Sequence, residues 1–280
     1  MSDLRIFAFA DEADPSLEGQ IRAMQRNGLA GLEIRGVDDK NVSDLTIDEA
    51  RDVRRRLDDA GLITWSIGSP IGKIHIETDD FEEHKEKFKH TLEIANVLGA
   101  EHLRMFSFYI PKEKDPSIFK NEVIDRIGAL ATLAVGSGVV LCHENEKGIY
   151  GDNAARCLEI LEAVPLIRAV FDPANFVQCG QDTVEAWNLL HPYVKYLHIK
   201  DAKLDGDIVP AGEGAGNIPF ILSEYRIQGG DGLTLEPHLA EFAGLAGLEQ
   251  EGEKSQVGGL RFADLHEAFD AGVAALKAIL

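Results

Sequence analysis

Cysteine is scarce in this chain. The three residues, Cys142, Cys157 and Cys179, are odd in number and lack the paired spacing of a disulfide framework or a thiolate metal site. A chain of 280 residues buries enough surface to fold without covalent staples, so a reducing, cytoplasmic setting is expected. Long apolar runs are missing as well. None reaches the roughly 18 to 20 residues of a spanning helix, and the first, Ile6 to Ala10, stops at Asp11-Glu12, so neither a secretion leader nor a membrane partner is expected. Positive charge is the third shortage: 28 Lys and Arg face 48 Asp and Glu, a net charge of −20. A surface of that sign repels phosphate backbones and anionic leaflets. The one basic cluster, Arg54-Arg55-Arg56, lies in the acidic stretch Asp48 to Asp59 and reads as a solvated helix face, so no nucleic-acid partner is expected. Nucleophilic catalysis lacks its signature too, since there is no Gly-x-Ser-x-Gly elbow and Cys142 lies inside an apolar run.

What the chain does contain is one theme repeated. A short apolar run gives way to polar residues and then to a helix-period segment closing on glycine. Eight apolar runs begin near Leu4, Gly31, Leu62, His102, Val139, Arg168, Val194 and Leu233, about 26 to 40 residues apart, the size of a βα unit. Runs such as Val139-Val140-Leu141-Cys142 and Ala169-Val170-Phe171 are apolar throughout, which marks strands buried on both faces of a parallel sheet. Helix punctuation agrees. Asp14-Pro15 and Asp115-Pro116 place an acid before a proline at the first helical position, and Thr46 with Glu49 forms a capping box. Phe81, Phe88, Leu92 and Ala95 make a one-sided stripe, and Gly28, Gly61 and Gly99 stop their helices. Eight such units in one chain of this length predict a single-domain α/β fold over 1–280, the (β/α)8 TIM barrel. A doubly wound open sheet would show a glycine-rich turn after the first strand, where this chain reads Ala8-Phe9-Ala10-Asp11-Glu12. The Gly- and Glu-rich stretch over 241–259 reads as a surface excursion that delays the last helix to about Phe262 to Leu280.

In a barrel of this kind the chemistry sits at the C-terminal ends of the strands. The last four runs end in His143-Glu144-Asn145, Phe171-Asp172-Pro173, Leu197-His198-Ile199-Lys200-Asp201 and Leu235-Glu236-Pro237-His238. Any one of these acids alone reads first as a cap for the next helix. Four adjacent strands ending in Glu144, Asp172, His198 and Glu236 point instead to one divalent metal, for which an oxygen-rich, thiolate-free set favours Mn²⁺, Mg²⁺ or Co²⁺ and admits Zn²⁺. Arg104, Asn145, Asn175, Lys200 and Glu213 are candidates for holding a polyol or an anionic group, or a loop. Lys200 is the strongest of them, because it shares strand parity with His198, and Asp201 would orient it or a ligand. His75, His143 and His238 read as structural histidines. Gly212-Glu213-Gly214-Ala215-Gly216 lacks a following Lys-Ser/Thr and reads as a flexible loop.

These residues resemble the xylose isomerase-like barrel superfamily, which holds sugar isomerases and epimerases, inosose dehydratases and endonuclease IV-type repair enzymes. The resemblance runs from Phe9-Ala10-Asp11-Glu12 through Gly31-Leu32-Glu33-Ile34-Arg35 and Ser69-Pro70-Ile71-Gly72-Lys73 to Leu233-Thr234-Leu235-Glu236-Pro237-His238-Leu239. Its most specific part is the Glu, Asp, His, Glu series. It implies that Glu144, Asp172, His198 and Glu236 bind one metal and that Glu144 and Glu236 also act as acid and base. It further implies an open-chain sugar or polyol substrate epimerised or isomerised through a metal-stabilised enediolate. A dehydratase acting on a cyclic polyol is the alternative within the same chemistry, and a repair nuclease the alternative outside it. Relatives often pair, so a homo-oligomer stays open. One departure bears on substrate: ketose 3-epimerases carry a histidine three residues after the metal-binding aspartate, where this chain has Asn175.

Overall fold

The computed structural model describes residues 4–243, 245 and 261–280. Eight strands, β1 (Arg5–Ala8), β2 (Gly31–Ile34), β3 (Ile63–Gly68), β4 (His102–Met105), β5 (Val140–Glu144), β6 (Arg168–Phe171), β7 (Val194–Ile199) and β8 (Gly232–Leu235), pair in parallel in sequence order. The barrel closes where β1 pairs with β8, Arg5 opposite Gly232 through Ala8 opposite Leu235. This is the (β/α)8 barrel the repeat predicts, and each strand begins within one residue of its expected start.

Helices α1 (Leu17–Asn27), α2 (Ile47–Asp59), α3 (Phe81–Leu98), α4 (Lys120–Ala134), α5 (Ala154–Ala163), α6 (Pro173–Gln178), α7 (Thr183–Leu190), α8 (Ile218–Ile227) and α9 (Leu265–Ile279) surround it. The capping box at Thr46 and Glu49 forms as expected. Asp115 caps one 3-10 turn, Pro116–Phe119, that runs into α4. Asp14 behaves differently. Its carboxylate is taken by the Ser16 amide and hydroxyl, at 2.8 and 2.6 Å, so Ser16 caps α1, accepting from Gly19 N–H, and Pro15 stays outside the helix. The last helix starts at Leu265, capped by Asp264, three residues later than the hydropathy suggests. Of the excursion expected over 241–259, all but 241–243 and 245 lies outside the described residues.

On α3, Phe88, Leu92 and Ala95 are buried against the barrel and Phe81 half-buried, so the stripe faces inward. Arg54 and Arg55 pair with Asp58, Asp52 and Asp59 along the exposed face of α2, a solvated helix face as the composition implied. One large apolar core fills the layer between strands and helices. A second, smaller cluster of Phe7, Trp65, Cys142, Val170 and Tyr196 plugs the barrel interior. Among the described residues no helix is long and apolar enough to cross a membrane.

Candidate metal centre

Strand parity builds the site. Residues two apart on a strand face the same side, so Tyr196, His198 and Lys200 project inward together, as do Cys142 with Glu144 and Val170 with Asp172. Glu144 is the last residue of β5, Asp172 follows β6, His198 is the penultimate residue of β7 and Glu236 follows β8. All four side chains are buried, and one ligand atom from each lies within 4.8 Å of the others. His198 Nδ1 lies 2.8 Å from Glu144 Oε1 and 3.4 Å from Glu236 Oε2, while its Nε2 lies 3.0 Å from Glu33 Oε2. Asp172 serves two purposes at once. Its Oδ1 accepts the Asn175 N–H and caps α6, whereas its Oδ2 faces the other ligands, 2.8 Å from Lys200 Nζ but out of line for a hydrogen bond. The oxygen that caps α6 and the oxygen turned toward Glu144, His198 and Glu236 are thus different atoms of one carboxylate.

Each glutamate is held the same way. Arg104 donates to Glu144 Oε2 at 3.1 Å and to the Ser69 carbonyl at 3.2 Å. Arg35 donates to Glu236 Oε1 at 3.0 Å and also to Asp11 and Glu12. The Phe9 ring lies beneath both guanidinium groups, 4.3 Å from Arg35 and 5.3 Å from Arg104. In both cases the second carboxylate oxygen is left facing His198.

The electrostatics report a deficit of positive charge. Burial drives each carboxyl toward its neutral form. At Glu144 the His198 ring and Arg104 overcome burial and hold the group down at about 2, and at Glu236 Lys200, His238 and His198 overcome burial and hold the carboxyl well below its ordinary range. At Asp172 burial wins, because Glu236 and Glu144 offset Lys200, and the carboxyl is pushed up to about 6. Burial disfavours a charged His198 ring, yet Glu144 and Glu33 raise it well above its ordinary value. Among the described residues, Asp11, Glu12, Glu33, Glu144, Asp172 and Glu236 meet the three permanent cations Arg35, Arg104 and Lys200, with the His198 ring as a fourth when it carries its extra proton. A divalent ion has the sign and charge that set lacks, and the donors, three carboxylates and an imidazole without sulfur, suit one. The residues present fit a metal.

A narrow cavity of about 30 Å³ lies over these groups and is lined in part by Lys73, Arg104, Asn175, Lys200 and His238. Asn145 uses both amide atoms on the Asp172 backbone, and the Asn175 amide donates to the Asn145 carbonyl, so this pair clamps the ends of β5 and β6 together. Glu213, next to the pinned glycines, is exposed. Gly72, on the loop carrying Lys73, has φ +90°, and a Cβ there would fall 2.1 Å from the Phe106 carbonyl oxygen.

Two readings of the sequence change. The stretch from Gly212 to Gly216 is pinned, because the amides of Gly212, Gly214 and Gly216 all donate to the Asp201 carboxylate. A Cβ at Gly214 would fall 2.3 Å from Asp201 Oδ1, so the cradle is built around an internal anion. Asp201 therefore anchors this loop instead of orienting Lys200. Sequence reasoning also gave no role to Glu33, Arg35 and Glu12, and His238 read as structural. Glu12, Glu236 and His238 converge as a second group, with Arg35 placed among their acids. The available signal was parity: Glu33-Ile34-Arg35 on β2 repeats the spacing of His198-Ile199-Lys200 on β7. The other histidines stay outside. His143, next to Glu144 on the opposite parity, is pushed down to about 4 by burial, and His75 packs against Tyr109.

Solved structures share this architecture. The IOLI protein with a bound zinc atom superposes with a TM-score of 0.75 at 16% identity, covering 99% of this chain and 98% of that one. The probable 3-DHS dehydratase AsbF of Bacillus anthracis gives 0.73 at 19% identity over 98% of both chains. The 3-keto-D-glucoside 4-epimerase YcjR of E. coli gives 0.72 at 14%, covering 99% of this chain and 100% of that one. Identities this low show a shared fold alone. No curated protein sequence matches the chain significantly. The family model for the xylose isomerase-like TIM barrel matches residues 21–257, and the chain belongs to that family.

Proposed function

We propose that the chain is a metal-dependent isomerase or epimerase of a sugar or sugar derivative. In this reading Glu144, Asp172, His198 and Glu236 hold one divalent ion, and Glu144 and Glu236 move the proton. The observation that carries it is the matched pair of buried glutamates, each with one oxygen fixed by an arginine and the other turned toward His198. A site that merely bound a sugar would need no two glutamates so held. A divalent ion there supplies Lewis acidity, polarising a carbonyl and favouring the negative charge that develops when the neighbouring C–H is broken.

The chain's own groups do the rest. One glutamate takes the proton from the carbon beside the carbonyl, and the other returns it. Return to the same carbon from the opposite face inverts it, whereas delivery to the neighbouring carbon interconverts aldose and ketose. Lys200, which lines the cavity, would donate to a substrate oxygen, and Arg104 and Asn175 border the same space. Burial of both glutamates excludes water that would compete for the proton.

A dehydratase reading shares the first proton transfer and then expels a β-hydroxyl. In that reading the Lys200 ammonium at the cavity wall would hydrogen-bond the leaving oxygen, while Asp172 and Glu236 hold its own proton in place. Solvent deuterium incorporation into a panel of ketoses, aldoses and inososes, with Mn²⁺, Mg²⁺, Co²⁺ or Zn²⁺ supplied, tests the proposal. Deuterium at the carbon beside the carbonyl, lost in both Glu144→Gln and Glu236→Gln, is expected; loss of water from the product instead selects the dehydratase. Full turnover of a reacting substrate by both variants would refute the acid-base assignment. Cleavage of an abasic-site duplex would replace it with a nuclease.

A further inference from the structure

A carboxylate in the middle of a barrel strand needs a reason. Glu33 lies in β2, a four-residue strand buried throughout, and its own side chain is fully enclosed. Its Oε1 accepts from Ser66 at 3.2 Å and Tyr196 at 3.0 Å. Its Oε2 accepts from Thr234 at 2.8 Å and lies 3.0 Å from His198 Nε2. Hydroxyl donors alone do not account for an acid here, because a buried anion costs far more than a buried amide or hydroxyl unless a strong donor meets it. The imidazole N–H is that donor.

The geometry points to Glu33 as the positioning residue of the metal-binding histidine. This rests on the metal reading above. With Nε2 turned to the Glu33 carboxylate at 3.0 Å, the ring presents Nδ1 on its opposite side, where Glu144 and Glu236 converge at 2.8 and 3.4 Å. An ion bound there would take the Nδ1 lone pair in place of the proton that Nδ1 otherwise shares with Glu144, while Nε2 keeps its N–H for Glu33. The carboxylate thereby sets both the tautomer and the rotation of His198, and its charge raises the basicity of the donor nitrogen. Phe9, packed edge-on with ring centroids 5.2 Å apart, limits rotation from the side. Glu33 cannot itself reach the ion, because the imidazole stands between them.

Glu33→Gln tests this, with Ser66→Ala as the structural control. Glutamine keeps an acceptor for Nε2–H and can donate to the hydroxyls, so the barrel interior stays paired. Ser66→Ala removes a donor from the carboxylate oxygen that does not touch the ring. Zinc and manganese affinities of the full chain are measured by competition with a chelator. Glu33→Gln is expected to weaken both by about 10- to 100-fold, and Ser66→Ala to leave them within about threefold. In the zinc-loaded, ¹⁵N-labelled chain, the protected, downfield Nε2–H resonance of His198 is expected to move upfield in Glu33→Gln alone. If wild type takes up an ion and Glu33→Gln binds it as tightly, this inference falls while the metal site stands. Equal loss in both variants would reduce Glu33 to a packing group. A wild-type chain that takes up no ion would overturn the metal reading and this inference together.

Discussion

The barrel interior has two halves built on the same strands. In the lower half Phe7 stacks on Trp65 with centroids 4.5 Å apart and planes 6° from parallel, Tyr196 meets Trp65 edge-on, and Cys142 and Val170 fill the remaining space. Two residues further along those strands stand Phe9, Glu144, Asp172 and His198, and the interior turns from apolar to ionic. The lower half is neutral and close-packed, which is what stabilises a fold. The upper half buries more carboxylates than its arginines and lysine match, and the cluster of Glu144, Asp172, His198 and Glu236 is one that could hold a metal ion. Glu33, Ser66 and Thr234, with the Tyr196 hydroxyl, form the seam. One strand period thus separates the apolar plug of the barrel from the buried ionic cluster.

The sharpest way to break this division is to exchange the effects. Glu144→Gln is expected to lower turnover by at least about a hundredfold, the usual scale of a lost acid-base group, with a smaller change in stability. Trp65→Ala is expected to cost about 3 to 5 kcal/mol of stability while turnover per folded molecule stays within a few-fold. Denaturant unfolding and kinetics on the same preparations decide it, and a Trp65→Ala chain that is folded but inactive would dissolve the distinction. Arg35→Lys asks how much the upper half depends on geometry. It keeps the charge but loses the fork that grips Glu236, Asp11 and Glu12, so kcat should fall about tenfold with little change in KM.

Much of this was legible in the sequence. The apolar runs gave all eight strands, and the acids and histidine closing the last four led directly to the cluster at the barrel mouth. Glu33 was hidden because β2 is so short that a charged residue within it looks like a strand end, and Arg35 because it follows the strand directly. Only the barrel's closure, which brings β2 across the interior from β7, shows that Glu33 and His198 share a level. Asp14 misled because hydrogen bonds donated by Ser16 to its carboxylate shift the cap by two residues, a competition that composition does not report. The glycine loop misled for a similar reason, since its anion, Asp201, lies 11 to 15 residues earlier.

Smaller effects sharpen the boundary of the upper half. His84 of α3 accepts the Gly72 N–H at 2.8 Å and supports the loop that carries Lys73. Burial, aided by Lys87, depresses it from 6.5 to about 4. The folded chain therefore resists protonation that the unfolded chain accepts, so this contribution is intact above pH 6.5 and is lost as pH falls toward 4. Urea midpoints between pH 7 and 4.5 should show a slope of up to about 1.4 kcal/mol per pH unit from this group, flattened in His84→Gln; an unchanged slope would remove His84 from the account. Arg55→Ala is expected to do least. Its pairs on α2 are solvent-exposed, so stability should shift by no more than about 0.5 kcal/mol and turnover should not change.

The account stands on a cation completing the upper half. Calorimetric titration of the chelator-stripped chain with Mn²⁺, beside His198→Ala, tests this most directly. One ion per chain in the wild type, with affinity reduced at least about tenfold in the variant, is the predicted result. No uptake by the wild type, or the same affinity in both, would contradict it.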